Sequence, residues 1–393
     1  WCGKILADLG ADVVKIEPPG GEATRTIGPF YDDVYHKERS LYFWHYNTSK
    51  RGVTLNLNTE DGRRIFKKLS KTADVIIETF KPGYLDSLGL GYDSLKKDNK
   101  SLVFCSITPF GQNGPWRDFK TSDLLHLAAG GQMGSCGYDD IDGAPPIAPG
   151  GGQAWHMGSH YASMAIVSAL IYRINSGSGQ YVDVSIHESC ALTTEGAMSS
   201  WIYMGKTMIR QTGRHAGVAP SSPTQTLCKD GKYVNIQLMP VRLPPKQLET
   251  LATWMDQHGM ADDLLDERYQ DTSVIQEKAD HISETVRKFI NNMTREDIYR
   301  GAQEMGFSWG AVRTHEELVT DGQLIDRGFW IDVDHPELGK TFSYPGSSAI
   351  WSSAKWKIGR RAPLIGEHNE QIYCGEMSMS KAEISMLSEI NAI

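Results

Sequence analysis

The sequence lacks two features that mark specialised classes of protein. It has no CxxC pair, and its six cysteines lie far apart along 393 residues, which argues against a zinc site and a disulfide framework. It also has no long block of like charge, because 48 acidic and 40 basic residues are interspersed. Neither a nucleic-acid surface nor a membrane surface is therefore indicated. We expect reduced, mostly buried thiols in a cytoplasmic protein.

Long apolar runs are also missing. The run at residues 162–172 is far shorter than the roughly 20 residues that cross a bilayer, and it predicts a buried helix instead. The N-terminus carries no basic segment followed by an apolar one, as a signal peptide would. Because the sequence opens on an apolar helical pattern, we expect a strand and a turn to precede Trp1.

What the sequence does contain is an alternation of short apolar strands and helical patterns. Helices are predicted over 59–71, with Thr59 as the N-cap, and over 83–98. The strand candidates are apolar nearly throughout, as strands buried on both faces are: 11–17, 52–57, 73–80 and 101–108. This alternation predicts a parallel, doubly wound α/β sheet.

A loop and a long helix follow these elements. Residues 130–152 are rich in glycine and proline, which predicts a loop over a site. A long apolar helix is predicted over 156–174, ended by the Gly-Ser-Gly turn at 177–179 and followed by a strand over 181–186. From about residue 230 the sequence becomes more polar, which indicates a smaller second lobe.

Six stretches, in this order along the chain, resemble the recurring segments of one family. They are LADLGADVVKIEPPGG, NTSKRGVTLNLNTEDG, ADVIIETFKPGYLDSLGLGY, SITPFGQNGP, SGSGQYVDVSIHES and RAPLIGEH. The family that they resemble is the family III CoA-transferases, which include formyl-CoA and carnitine CoA-transferases. The resemblance covers nearly the whole chain, and it rests on the shared order of the segments more than on any one of them.

The resemblance implies a fold and an assembly. The fold is an α/β fold with a Rossmann-like large domain, whose doubly wound parallel sheet comes from residues 1–220 and 311–393. A smaller α+β domain is inserted at 221–310. Two ring-shaped subunits are interlocked as a dimer, for which a stable monomer is unexpected.

The resemblance also implies a reaction, with coenzyme A or acyl-CoA as substrate and with no metal. In the family, an aspartate carboxylate attacks the thioester of a donor such as succinyl-CoA and gives a mixed anhydride. The released CoA thiolate attacks that anhydride and gives an enzyme-bound thioester. The acceptor carboxylic acid then takes CoA from the enzyme through the same steps in reverse order.

The position of that aspartate, counted back from the glycine turn, is Trp155 in this chain. An indole cannot carry the acyl group, and residues 150–160 contain no Asp or Glu; the nearest carboxylate before them along the chain is Asp142. The related α-methylacyl-CoA racemases pair the aspartate with a histidine in a Gly-His-Asp segment. Here the matching segment is Thr-Ser-Asp, ending at Asp123, so racemase activity is not favoured.

The resemblance implies a CoA site that is retained in part. Arg25 matches a basic residue near the nucleotide phosphates, where a guanidinium makes charge-assisted contacts. Lys120 matches a lysine of the same pocket. Three residues at strand ends match the adenosine side of the pocket: Leu55, Thr79 and Phe80. A lysine found in some members is Asn58 here, which predicts weak CoA binding or none.

The first functional hypothesis is a subunit of a heteromeric CoA-transferase. This chain lacks the nucleophile and acts as the structural or regulatory partner of a homologous catalytic subunit, and an interlocked homodimer is the alternative assembly. The arylsuccinate (benzylsuccinate-type) CoA-transferases of anaerobic aromatic degradation are built in this way.

Two other hypotheses stay open. In one of them, the chain is an active acyl-CoA lyase, isomerase or hydrolase that uses His156, His160 or Asp123. The two histidines lie four residues apart on one helical face, and no third metal ligand can be placed beside them. A nicotinamide dehydrogenase is the remaining alternative, based on the α/β alternation and on Glu17 at a strand end. The visible sequence has no GxGxxG motif, which a dehydrogenase of this kind uses to bind its cofactor.

Overall fold

The structure is a computed structural model that describes residues 1–194, 196–238, 240–354 and 356–393. Its strands are β1 (Val14–Glu17), β2 (Arg51–Thr54), β3 (Val75–Glu78), β4 (Val103–Thr108), β5 (Tyr181–Ser185), β6 (Gln225–Leu227), β7 (Tyr233–Asn235), β8 (Gly310–Ala311), β9 (Trp330–His335) and β10 (Lys340–Pro345). The helices of the first half are α1 (Cys2–Asp8), α2 (Leu41–Tyr46), α3 (Glu60–Ser70), α4 (Tyr84–Ser87), α5 (Tyr92–Leu95), α6 (Asp123–Ala129), α7 (Gln153–Ser176) and α8 (Ile186–Leu192).

The helices of the second half are α9 (Ala197–Met204), α10 (Pro245–Asp256), α11 (Thr272–Glu277), α12 (Ala279–Asn291), α13 (Arg295–Glu304), α14 (His315–Val319), α15 (Gly322–Asp326) and α16 (Lys381–Glu389). A π-helical segment covers Glu370–Glu376. Within the described residues, every helix is too short or too polar to span a membrane.

The chain divides into two compact units. The first unit comprises Trp1–Gln132, Ala148–Glu195 and Gly322–Ile393, and the second comprises Met133–Ile147 and Gly196–Asp321. The first unit is therefore built from both ends of the chain. The predicted domains, 1–220, 221–310 and 311–393, are a different division of the chain and stay a prediction.

The first unit holds two parallel sheets. In one of them β1 pairs with β2, and in the other β4 lies between β3 and β5. Every residue of β4 is buried, because both of its edges are paired and both of its faces are covered. These parallel sheets confirm the predicted α/β class. The Rossmann-like arrangement and the interlocked dimer remain proposals.

Two of the predicted helices show how local sequence decides the outcome. Helix α3 begins where predicted, and the Thr59 hydroxyl accepts a hydrogen bond from the Gly62 N–H at 3.0 Å. The single helix predicted over 83–98 is wrong, because the chain forms the short helices α4 and α5 instead. Gly89, which has φ 68°, lies between them in the left-handed region, and a regular helix cannot pass through it.

The long predicted helix is confirmed as α7. It begins at Gln153, three residues before the predicted start, and its C-cap is Gly177 with φ 70°. Its glycine at position 158 allows close packing, because a Cβ atom there would lie 2.8 Å from Cγ1 of Ile186 at the start of α8. Helix α7 is thus held against the strand and helix that follow it.

The second unit has its own sheet and core. Strands β6, β7 and β8 form an antiparallel sheet in that order. Helices α10 to α13 supply most of a core that includes Leu248, Leu251, Ile282 and Phe289, and Trp309 joins it from the segment before β8. Helices α11 and α12 meet at Lys278, which is the C-cap of the first and the N-cap of the second. The six cysteines are unpaired, and four of them are buried, as expected.

Candidate active site

The first turn of α7 contains Trp155, the residue predicted to occupy the position of the family's nucleophile. This turn contains no acidic residue. The indole is half-buried, and its ring centroid lies 5.5 Å from that of His126, edge to face. Such a pair is held by packing and by the complementary charge of ring edge and ring face. The Trp155 side chain is therefore held by packing, and its assignment to the nucleophile position stays a prediction.

A carboxylate from another element nevertheless reaches the start of α7. Asp123 begins α6, whose N-cap Ser122 accepts a hydrogen bond from the Leu125 N–H. The Oδ1 atom of Asp123 accepts a hydrogen bond from the Ala154 N–H at 2.9 Å. The free N–H groups at a helix N-terminus stabilise a negative charge in this way. The structure therefore brings Asp123 beside Trp155 and His156.

The predicted histidine pair lies on the same helix end, and it has partners. The Nε2 atom of His156 is 3.0 Å from the Tyr46 hydroxyl, and the Trp1 indole N–H donates to Nε2 of His160 at 3.3 Å. Burial lowers the pKa of the His156 imidazole, His160 acts in the same direction, and Asp123 acts against it. A neutral imidazole beside a hydroxyl group is suited to proton transfer.

The contact between Tyr46 and His156 was not foreseen from the sequence. Tyr46 ends α2 and lies 110 residues before its histidine partner. Its neighbour His45 stacks on the Trp1 ring, with 5.5 Å between the ring centroids. No spacing or motif relates α2 to the start of α7, so only the fold reveals this aromatic and imidazole cluster.

The predicted CoA residues occupy two kinds of environment. Arg25 and Leu55 are buried, and Leu55 belongs to the hydrophobic core of the first unit. Phe80 and Lys120 are exposed, as is Thr79. The ring of Phe80 lies 4.9 Å from that of Tyr84, whose hydroxyl donates to Asn58 at 3.2 Å.

The environment of Arg25 is an ion-pair network. Its Nε and Nη2 atoms each donate to Glu17 at 2.7 Å, Nη1 donates to Glu38 at 2.6 Å, and Nη2 also donates to the Pro363 carbonyl at 2.9 Å. This arrangement leaves little of the guanidinium for a phosphate group. The assignment of Arg25, Leu55, Thr79, Phe80 and Lys120 to CoA binding stays a prediction.

One group of side chains has the composition of a metal site. The ligand atoms of Asp262, Asp263 and His281 lie within 4.8 Å of one another. The Asp263 carboxylate, however, already pairs with Arg268 and lies 2.6 Å from Nε2 of His281. These ion pairs account for the closeness of Asp263 and His281.

His126 allows a prediction on pH. Its imidazole is fully buried, its Nε2 atom bonds the Thr121 hydroxyl, and its Nδ1 atom has no partner among the described residues. Burial, with His187 nearby, lowers the pKa of His126 to about 4. The imidazole of an unfolded chain titrates near 6.5.

The folded protein therefore binds fewer protons than the unfolded chain between these two values. The contribution of His126 to stability is complete above pH 6.5 and falls as the pH drops towards 4, by about 1.4 kcal/mol per pH unit. Urea unfolding at pH 7.5 and pH 5 measures this, and His126→Gln is expected to lose less stability between the two than the wild type. An equal loss in both proteins would contradict the prediction.

The fold and the site together define a class: an α/β protein with parallel sheets whose candidate site lies at the N-terminus of a long helix. The model of CoA-transferase family III matches residues 1–369. The chain belongs to CoA-transferase family III.

Known relatives match the chain along almost all of its length. A succinyl-CoA:(R)-benzylsuccinate CoA-transferase subunit, BbsE, from Thauera aromatica is 33% identical over 100% of this chain and 94% of its own. A succinate–glutarate CoA-transferase from Agrobacterium fabrum is 31% identical over 95% of this chain and 90% of its own. The crystal structure of a CAIB/BAIF family protein from Brucella suis covers 95% of this chain and 94% of its own, with 30% identity and a TM-score of 0.79.

Proposed function

We propose that this chain is one subunit of a heteromeric CoA-transferase, which moves CoA from an acyl-CoA such as succinyl-CoA to a carboxylic acid, and that it supplies no nucleophile. The observation that carries the proposal is the first turn of α7, which contains no acidic residue of its own and in which Trp155 packs against His126. The mixed anhydride and the enzyme thioester both require a side-chain carboxylate. A homologous subunit supplies that carboxylate.

An apolar stripe along α7 supports the presence of a partner subunit. Met164, Val167, Ile171 and Ile174 recur at helical spacing and are between 44% and 80% exposed. A continuous apolar surface of this kind is typical of a protein interface. We assign it to the homologous catalytic subunit, in an interlocked dimer of two Rossmann-like chains. A second copy of this chain is the alternative occupant.

The relative with benzylsuccinate in its name supports a finer proposal. We infer that the acceptor is an aryl-substituted succinate, and that the enzyme acts in the cytoplasm during anaerobic degradation of aromatic compounds. We also propose that residues 1–220 and 311–393 form the large domain and 221–310 the small one. If this chain still binds CoA, the CoA contacts Arg25, Lys120 and the strand-end residues Leu55, Thr79 and Phe80.

Asp123 favours a second candidate function, an active enzyme with different chemistry. Its carboxylate lies at the start of α7, hydrogen-bonded to the Ala154 N–H, and His156 and Tyr46 form a hydrogen-bonded pair nearby. An acyl-CoA lyase, isomerase or hydrolase can use a carboxylate and an imidazole in these roles. The two proposals differ in whether this chain is active alone.

The first experiment measures CoA transfer from succinyl-CoA to a panel of carboxylic acids, including benzylsuccinate. The chain is assayed alone and together with the homologous subunit encoded beside it. We expect transfer only in the mixture, because only the partner carries the nucleophile. Transfer by the chain alone would contradict the proposal.

Two further measurements sharpen this test. Mass spectrometry of the mixture during turnover is expected to find the CoA thioester on the partner chain and none on this chain. Asp123→Asn in this chain is expected to leave the mixture active, with Asp142→Asn as the matched control. A thioester on Asp123, or loss of activity in Asp123→Asn alone, would favour the second candidate.

A further inference from the structure

A cavity of about 510 Å³ lies in the first unit, and none of its lining residues belongs to the candidate active site. Its walls come from β3 and β4, the start of β5, the helices α4 and α5, and residues 112–117. Neither Trp155 nor any of the five predicted CoA residues lines it. Its volume is in the range of sites for small molecules.

Two cations that line the cavity have no partner among the described residues. The Nε atom of Arg117 is buried and without a hydrogen bond, and among the residues that the structure describes no acceptor bonds or pairs with its guanidinium. The ammonium of Lys81 is likewise unpaired within the described chain. An unpaired guanidinium with a buried donor atom costs free energy, and an anion would remove this cost.

Three carboxylates also line the cavity, and two of them are already engaged. Glu78 accepts a hydrogen bond from the Phe80 N–H at 2.7 Å, and Asp93 pairs with Lys96. Burial also raises the pKa of the Glu78 carboxyl, and a hydrogen bond from Ser106 acts against this shift. The third is Asp86, which is exposed. Of the residues that line the cavity, Arg117 is therefore the one with a buried polar atom that lacks a partner in the described chain.

The remaining wall is aromatic. The ring centroids of Tyr92, Phe104 and Tyr181 lie 5.7 to 6.2 Å from one another, and the Tyr181 hydroxyl is held by Ser106 at 3.0 Å. Rings fixed in this way offer edges and faces to another ring. The planar guanidinium of Arg117 matches a carboxylate, with which it can form two parallel hydrogen bonds.

We propose that this cavity is a binding site for an aromatic carboxylate, whose ring contacts Tyr92, Phe104 and Tyr181 and whose carboxylate pairs with Arg117 and Lys81. The proposal concerns binding to this chain alone and does not depend on whether the chain is catalytic. The ligand is an acceptor acid held before reaction or an effector of related chemistry, and both have the same carboxylate and ring.

Isothermal titration of the whole chain with benzoate tests the proposal, with benzamide as the neutral ligand of the same shape. Benzoate is expected to bind saturably, and benzamide at least tenfold more weakly. Arg117→Gln is expected to weaken benzoate binding at least tenfold. Lys81→Gln removes an exposed cation without risk to the core, and it is expected to weaken binding severalfold.

The matched control is Arg64→Gln, because Arg64 is an exposed arginine of the same unit that pairs with Asp61. It is expected to leave benzoate affinity unchanged. No saturable binding of benzoate, or equal affinity in the wild type and in both cavity variants, would overturn the proposal. Tighter binding of inorganic phosphate than of benzoate would overturn the assignment of an aromatic ligand. CoA transfer plays no part in this measurement, so its outcome leaves the proposed function untouched.

Discussion

Replacing Arg25 by methionine is expected to lower the free energy of unfolding by about 3–5 kcal/mol. The Arg25 side chain is fully buried, and it pairs with Glu17, whose own side chain is 1% exposed. Methionine fills much of the volume but leaves the Glu17 carboxylate charged and without its partner. An unpaired buried charge is among the most destabilising changes that one substitution can make.

Denaturant unfolding of the wild type and of Arg25→Met measures the effect. Arg64→Met is the matched control, because Arg64 forms an exposed ion pair with Asp61 that contributes at most about 1 kcal/mol. A second substitution, Glu17→Leu, is expected to recover part of the loss, since it removes the unpaired charge. A loss below about 1 kcal/mol in Arg25→Met would contradict this account of the network.

The same variants bear on the predicted role of Arg25 in CoA binding. A phosphate at this position has to compete with Glu17 and Glu38 for the guanidinium, whose donors they already occupy at 2.6 to 2.7 Å. Arg25→Lys keeps the charge but loses the paired geometry. Measuring CoA affinity in this variant separates a role in phosphate binding from a role in the fold.

The sequence predicted correctly those parts of the fold that are determined by residues close together along the chain. Strand β4 follows an apolar run, α3 begins at its Thr59 cap, and α7 ends at Gly177. Each of these signals acts within one turn or one strand. The region of α4 and α5 was mispredicted because Gly89 lies inside an otherwise helical pattern, and its left-handed backbone is not visible in the sequence.

The candidate site depends instead on contacts between distant parts of the chain. The absence of a carboxylate from the start of α7 could be read directly from residues 150–160. The hydrogen bond from the Ala154 N–H to Asp123 could not be predicted from the sequence, because the two residues belong to different helices and lie 31 positions apart. The same holds for Tyr46 and His156. Tertiary packing of α2, α6 and α7 decides these contacts, and local propensity carries no information about it.

Replacing Gly179 by alanine is expected to destabilise the first unit by more than about 4 kcal/mol, or to prevent folding. Gly179 lies two residues before the start of β5, and its N–H donates to the Lys100 carbonyl at 2.9 Å. A Cβ atom there would lie well inside 3.0 Å of the Leu102 carbonyl, a separation that real Cβ atoms essentially never show. The clashing atoms belong to the backbone, which cannot change rotamer as a flexible side chain can. Strand β5 would therefore have to move away from β4.

The matched control for Gly179→Ala is Gly150→Ala. A methyl group at position 150 would meet no atom within 4 Å, and the backbone there is not left-handed, so alanine is expected to change stability by less than about 1 kcal/mol. Thermal unfolding and the yield of folded protein measure both variants. Because β5 pairs with the buried β4 and leads into α8, which packs against α7, its displacement would also shift the start of α7. Wild-type stability in Gly179→Ala would show that β5 reaches β4 by a different path from the one described.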